Sequence, residues 1–99
     1  MKNQEDYFKI LRKIQQNPSS SQRELAKDAG FSLGKLNYCL NALRDKGLIK
    51  IKNFKKNPNK LNYVYILTPK GLAEKTRLTL NFMKKKMKEY DDLKKELGK

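Results

Sequence analysis

The sequence has no histidine, a single cysteine, few acidic residues and no long apolar run. Without histidine there is no Ser-His or Cys-His nucleophilic machinery and no imidazole to ligate a metal. No other catalytic constellation is present, so neither an enzyme nor a cofactor or metal site is expected. The lone cysteine, Cys39, excludes an intrachain disulfide framework and fits a reducing cytosol. It falls beside Leu36 and Leu40 and reads as a small buried hydrophobe rather than a redox switch. No apolar stretch approaches the ~20 residues of a membrane span. The opening MKNQEDYFKI is charged and lacks the apolar core of a signal peptide. A cytoplasmic protein without membrane contact is the reading.

What is abundant is positive charge. Lys and Arg total 24 against 10 acids, a formal charge of +14 over 99 residues. One domain with a modest core is the prior for that length. The charge predicts attraction to a polyanion. Abundant lysine and asparagine can also reflect an A/T-rich coding sequence, so where the charge clusters matters more than its sum.

The organising stretch is SQRELAKDAGFSLGKLNYCLNALRDK, residues 21–46. It reads as two short helices broken at Ala29-Gly30-Phe31. Ser21 and Glu24 have the spacing of a capping box. Leu25, Ala26 and Ala29 share one face, and Gly30 stands where a helix end takes a left-handed residue. Ser32 caps a second helix that turns Leu36, Leu40 and Leu43 inward. The opposite face is left with Lys35, Asn37, Tyr38, Asn41 and Arg44. This is the layout of a helix-turn-helix whose second helix offers donors to the major groove.

The flanks fit that layout. Residues 3–16 predict a first helix, capped by Asn3, with Glu5 and Asp6 at its positive end. Tyr7, Ile10, Leu11 and Ile14 face the core, and Asn17-Pro18 stops the helix. After Gly47 the period changes from 3.6 to 2. LIKIKNF (48–54) and LNYVYIL (61–67) predict two strands, joined by a polar loop with turn chemistry at Asn57, Pro58 and Asn59. Five lysines and no acid fall between Lys50 and Lys60, so the hairpin has a cationic tip. An isolated hairpin is marginal in water and must pack on the helices. Helix-turn-helix followed by hairpin is the winged arrangement, with the tip at the phosphate backbone or the minor groove.

Thr68-Pro69 opens a last helix running to about Leu97. Leu72, Leu78 and Phe82 give its first half an apolar surface able to pack on the first helix. Thr76, Leu80, Met83, Met87, Tyr90 and Leu97 continue as a heptad seam, with Lys94 a polar exception and Leu93 offset by one. A narrow seam of that kind wants a partner helix, most simply its own copy. A helix frayed after about Lys85 is the alternative. The predicted fold is α+β and mainly helical: a winged helix-turn-helix of three helices and a two-stranded wing (1–68), then a dimerisation helix (69–99). Leu80, Met83, Met87, Tyr90 and Leu97 are the expected dimer contacts.

SQRELAKDAGFSLGKLNYCLNAL, Lys46-Gly47, NKLNYVYILTPKGLAEKTRLT and FMKKKMKEY together resemble the small MarR-type regulators associated with bacterial exopolysaccharide genes. The resemblance spans about Ile10 to Tyr90. It implies a winged helix-turn-helix transcriptional regulator, a homodimer, and a role in exopolysaccharide or cell-envelope gene control. Larger MarR proteins have extra dimerisation helices at both ends and often a pocket for small phenolic effectors. This chain has little before Tyr7 and one helix after the wing, so no small-molecule effector is expected.

The expected contacts with double-stranded DNA follow. Ser21, Gln22 and Arg23 open the first central helix, where amides and a positive dipole end suit a phosphate. Ser32 opens the reading helix. Lys35, Asn37, Tyr38 and Asn41 are candidates for the groove, since lysine donates to guanine and asparagine pairs with adenine. Tyr38 either touches a thymine methyl or phosphate, or packs on the wing. Arg44 suits phosphate. Lys55, Lys56, Asn57 and Lys60 form the wing contact. Two other readings stay open: an RNA-binding or ribosome-associated winged helix, for which Tyr63 and Tyr65 are the rings available to stack bases, and a protein-interaction adaptor using the last helix.

Overall fold

The computed structural model describes the backbone of residues 4–57 and 60–98, with side chains described outside residues 53–62. Six elements follow in order: α1 (Gln4–Gln16), α2 (Gln22–Ala29), α3 (Leu33–Asp45), β1 (Ile49–Asn57), β2 (Lys60–Leu67) and α4 (Pro69–Leu97). The expected architecture is the observed one. The Asn3 cap and the turn residues Pro58 and Asn59 lie outside the described residues.

Local chemistry explains where the helices start and stop. Before α2, the Ser21 amide donates to Glu24 Oε1 at 2.9 Å and the Glu24 amide donates to Ser21 Oγ at 3.1 Å, a complete capping box. Gly30 closes α2 with φ of 75°, and the Phe31 amide reaches back to the Ala26 carbonyl at 2.8 Å. Ser32 Oγ accepts from the Lys35 amide at 3.1 Å and starts α3. Gly47, with φ of 76°, ends that helix and lets the Leu48 amide bond the Leu43 carbonyl at 2.9 Å.

The core sits where α1, α2 and α3 meet the root of the hairpin. Ile10, Leu11, Ile14, Leu25, Leu36, Leu40 and Leu43 are buried with Ile49, Tyr65 and Leu78. Cys39 is buried among them, and burial pushes its thiol pKa up, as suits an inert hydrophobe.

β1 and β2 pair antiparallel, with Ile49 opposite Leu67, Ile51 opposite Tyr65 and Asn53 opposite Tyr63. The ladder runs further than expected, to Asn57 opposite Lys60, with a register shift between Lys55 and Asn57. Tyr63 and Tyr65 share the inner face, because strand side chains alternate. Their fates differ: Tyr65 is 1% exposed and Tyr63 is 45% exposed. Tyr65 is therefore a core residue and is not free to stack a base, which corrects that part of the RNA reading. The helices cover the hairpin root and leave the inner face open further out.

α4 is continuous over 29 residues, roughly 43 Å of helix, so it does not end near Lys85. Leu78 is buried, and Phe82 stacks on Phe8 of α1 with centroids 5.0 Å apart. Leu72 was expected to join that packing. It is instead 46% exposed and lines an open depression with Ile14 of α1, Pro18 and Ile66. From Met83 onward α4 leaves the core, which draws the molecule out to 67 × 25 × 21 Å. Among the described residues no helix is long and apolar enough to cross a membrane.

Candidate nucleic-acid interface

α3 is anchored by Leu36, Cys39, Leu40 and Leu43, all buried. Helical geometry then fixes what points outward. Asn37, Tyr38, Asn41 and Arg44 are all exposed. Tyr38 is 65% exposed, so its ring is not packed on the wing. The structure thus brings two amides, a phenol and a guanidinium onto one open helix face.

Two of the charged candidates are partly engaged. Lys35 Nζ lies 3.2 Å from Asp6 Oδ2 of α1 and 4.3 Å from the Phe31 ring centroid. Arg44 Nη2 lies 3.4 Å from Asp45 Oδ1 in an exposed pair. Exposed pairs are worth about 0–1 kcal/mol, so a phosphate can compete for either cation.

At the start of α2 the capping box occupies the Ser21 amide, and the Ser21 hydroxyl accepts from the Glu24 amide. Arg23 is exposed beside it and Gln22 is half-buried. At the wing, the backbones of Lys55, Lys56, Asn57 and Lys60 lie in the strands, but their side chains are outside the described residues.

Gly34 was absent from the expected set. It occupies the first turn of α3, is exposed, and has nothing within 4 Å of where a Cβ would stand. The helix can approach a flat surface closely there. A glycine inside a helical pattern was the available signal. Lys50 is a second omission; it is exposed on the outer face of β1, opposite Ile66. Among the described residues no cluster of Cys, Asp and Glu could hold a metal ion.

A family model for winged helix-turn-helix DNA-binding domains matches residues 8–50, which run from α1 through α3 to the start of β1. Solved structures extend the likeness over the whole fold. Staphylococcus aureus MarR, in complex with salicylate and kanamycin, superposes with a TM-score of 0.70 at 21% identity, covering 88% of this chain and 57% of that one. The PcaV transcriptional regulator from Streptomyces coelicolor, in complex with its natural ligand, gives 0.71 at 15% identity, covering 94% and 72%. The transcriptional repressor CouR, bound to a 23-mer DNA duplex, gives 0.63 at 26% identity, covering 73% and 49%. The chain thus spans about half to three quarters of these proteins' lengths. A search of curated protein sequences finds no match. The relatives are regulators rather than enzymes, and this chain has the winged helix-turn-helix fold of the MarR-family transcriptional regulators.

Proposed function

We propose that the chain is a sequence-specific, double-stranded DNA-binding transcriptional regulator that acts as a homodimer on an inverted-repeat operator. The observation that carries this is the face of α3: a helix locked by buried leucines, with Asn37, Tyr38 and Asn41 exposed on its far side. CouR, which shares the fold, is bound to a DNA duplex. Affinity comes mainly from lysine and arginine contacts to phosphate and falls steeply with salt. Asn37 and Asn41 read bases, and Lys55, Lys56, Asn57 and Lys60 hold the flanking backbone. The exposed seam of α4 joins two copies, which sets the reading helices about 34 Å apart, one DNA turn. Control of exopolysaccharide or cell-envelope genes follows from the family resemblance alone.

The test is a titration against duplexes selected from genomic DNA, with structured RNA at equal salt as the comparison. Asn41→Ala relaxes base preference at one position by about 1–3 kcal/mol. Lys56→Ala weakens all sequences alike and lowers the salt slope by about one. Parent-like binding by both variants, or tighter binding to RNA than to duplex DNA, overturns the assignment.

A further inference from the structure

The distal half of α4 carries an apolar seam that stays largely exposed, and its charge order says how a second copy lies on it. Leu80, Met83, Met87 and Tyr90 are each more than half exposed, and Leu97 is 89% exposed. Their spacings alternate between four and three, which makes Leu80, Met87 and Lys94 the a positions and Met83, Tyr90 and Leu97 the d positions of a heptad. The charges along this segment are unevenly distributed. Lys84, Lys85, Lys86 and Lys88 come first; Glu89, Asp91, Asp92 and Glu96 follow, with Lys94 and Lys95 among them.

We propose that two copies pair through this segment in an antiparallel coiled coil centred between Lys88 and Glu89. The pairing rests on the homodimer reading above and adds its direction and register. Antiparallel coils set a positions against d positions. This register does so in every layer: Leu80 against Leu97, Met83 against Lys94, Met87 against Tyr90. It also lays the lysine block of each helix along the acidic block of the other, with Lys84 beside Asp91 on one flank.

A parallel pair stacks Lys94 on Lys94 inside the seam and the lysine block on itself. Like charges at short range disfavour that arrangement. In the antiparallel pair Lys94 meets Met83, and its aliphatic stem can cover the thioether while the ammonium reaches water.

The other flank has a matching feature. A groove of about 590 Å³ runs between α1 and α4, floored by Phe8, Phe82 and Met83; its charged lining is Lys9, Arg12, Lys75 and Lys86 against one acid, Glu5. Phe82 occupies a c position, so this groove lies on the side where the antiparallel partner turns its own c positions. Those are Glu89 and Glu96, and Leu93 leads them. The partner's Leu93 enters the groove mouth, and its two glutamates meet the mainly cationic lining. Hydrophobic and charge complementarity therefore agree on one orientation.

Orientation is read by cross-linking the full chain in a Cys39→Ala background. Leu80→Cys and Leu97→Cys chains are made separately and treated with a short bis-maleimide, alone and mixed. Antiparallel pairing gives product only in the mixture, because like positions stand roughly 25 Å apart along the axis at 1.5 Å per residue. Product from each variant alone, and none joining 80 to 97, shows a parallel pair and overturns the proposal while leaving the homodimer. Sedimentation of the parent separates the two claims further: a monomer overturns both, and a dimer giving no α4 cross-link overturns this one alone. A charge swap is the second arm. Lys84→Asp or Asp91→Lys weakens dimerisation by about tenfold, both contacts being repeated by symmetry, and the double variant returns it to the parent value. Double-variant dimerisation no better than either single variant counts against the Lys84–Asp91 contact and the register built on it.

Discussion

A Cβ placed on Gly71 would overlap the carbonyl oxygen of Leu48. The first turn of α4 therefore lies directly on the backbone that leads from α3 into the wing. The same turn is tied there by hydrogen bonds. The Thr68 amide donates to the Leu48 carbonyl at 3.0 Å, and the Thr68 hydroxyl donates to the Gly47 carbonyl at 2.6 Å. Thr68 Oγ1 also caps the helix by accepting from the Gly71 amide at 2.9 Å. Gly71→Ala must push α4 off this seat. Overpacking of that kind costs about 2 kcal/mol, or roughly 10 °C in Tm for a chain of this size. Gly34→Ala is the control. Its Cβ meets nothing, so the better helix former raises Tm by a few degrees, about 0.5–1 kcal/mol. Thermal melts of both variants check the pair of signs.

The capping box of α2 makes stability depend on pH in a predictable direction. Hydrogen bonds from the Ser21 backbone and side chain hold the Glu24 carboxyl below its ordinary value of 4.5. A carboxyl lowered in the folded state stabilises the fold above its unfolded pKa, and that contribution is lost as pH falls through the folded value. Glu24→Gln keeps an oxygen acceptor for the Ser21 amide but removes the charge. The Tm difference between parent and Glu24→Gln should be constant from neutral pH down to about 5 and should shrink below 4.5. A difference that stays flat to pH 3 would show that the charge contributes nothing there.

These two predictions differ in how far the sequence reveals them. The capping box is legible because it is made by residues three apart, as are the Ser32 and Thr68 caps and the Gly30 and Gly47 stops. The 3.6-to-2 change of period after Gly47 is equally local, so the wing was legible too. The Gly71 seat was not, since it joins residues 23 positions apart and a glycine near a helix start has no single meaning. The Phe8–Phe82 stack and the Lys35–Asp6 pair are hidden for the same reason: each depends on how α1 crosses another helix. Alternation puts Tyr63 and Tyr65 on one face, but only the helices decide where that face stops being covered. At the site, the exposed face of α3 was legible from its leucine spacing, whereas the engagement of Lys35 was not.

That engagement has a consequence for DNA binding. Asp6 holds the Lys35 ammonium at 3.2 Å, and both side chains reach solvent. Asp6→Asn should change stability by less than about 1 kcal/mol. It also removes an anion beside α3 and frees the lysine for phosphate. Affinity for all duplexes should rise, with a salt slope steeper by about one unit. Adding Lys35→Ala to Asp6→Asn should cancel the gain. Fluorescence anisotropy at two salt concentrations reads both effects. An Asp6→Asn gain that survives Lys35→Ala would show that the lysine is not the group released.

The aromatic pair between α1 and α4 should separate folding from DNA reading. Phe8 and Phe82 stack with an interplanar angle of 18°, and Arg12 and Lys85 lie 5.6 and 5.7 Å from the respective ring centroids. Both rings are half-buried, so truncating either to alanine costs about 2 kcal/mol, less than a fully buried phenylalanine. The double variant should lose less than the sum of the singles, because the stacking contact is removed only once. The coupling expected for such a pair is about 0.5–1.5 kcal/mol. The stack joins α1 to α4 and contains none of the candidate DNA contacts. Duplex affinity measured well below the lowered Tm should therefore match the parent wherever the two copies stay paired. A loss of affinity with sedimentation unchanged would mean that the α1–α4 crossing sets the pose of α3, so that the stack positions the reading helix as well as stabilising the fold.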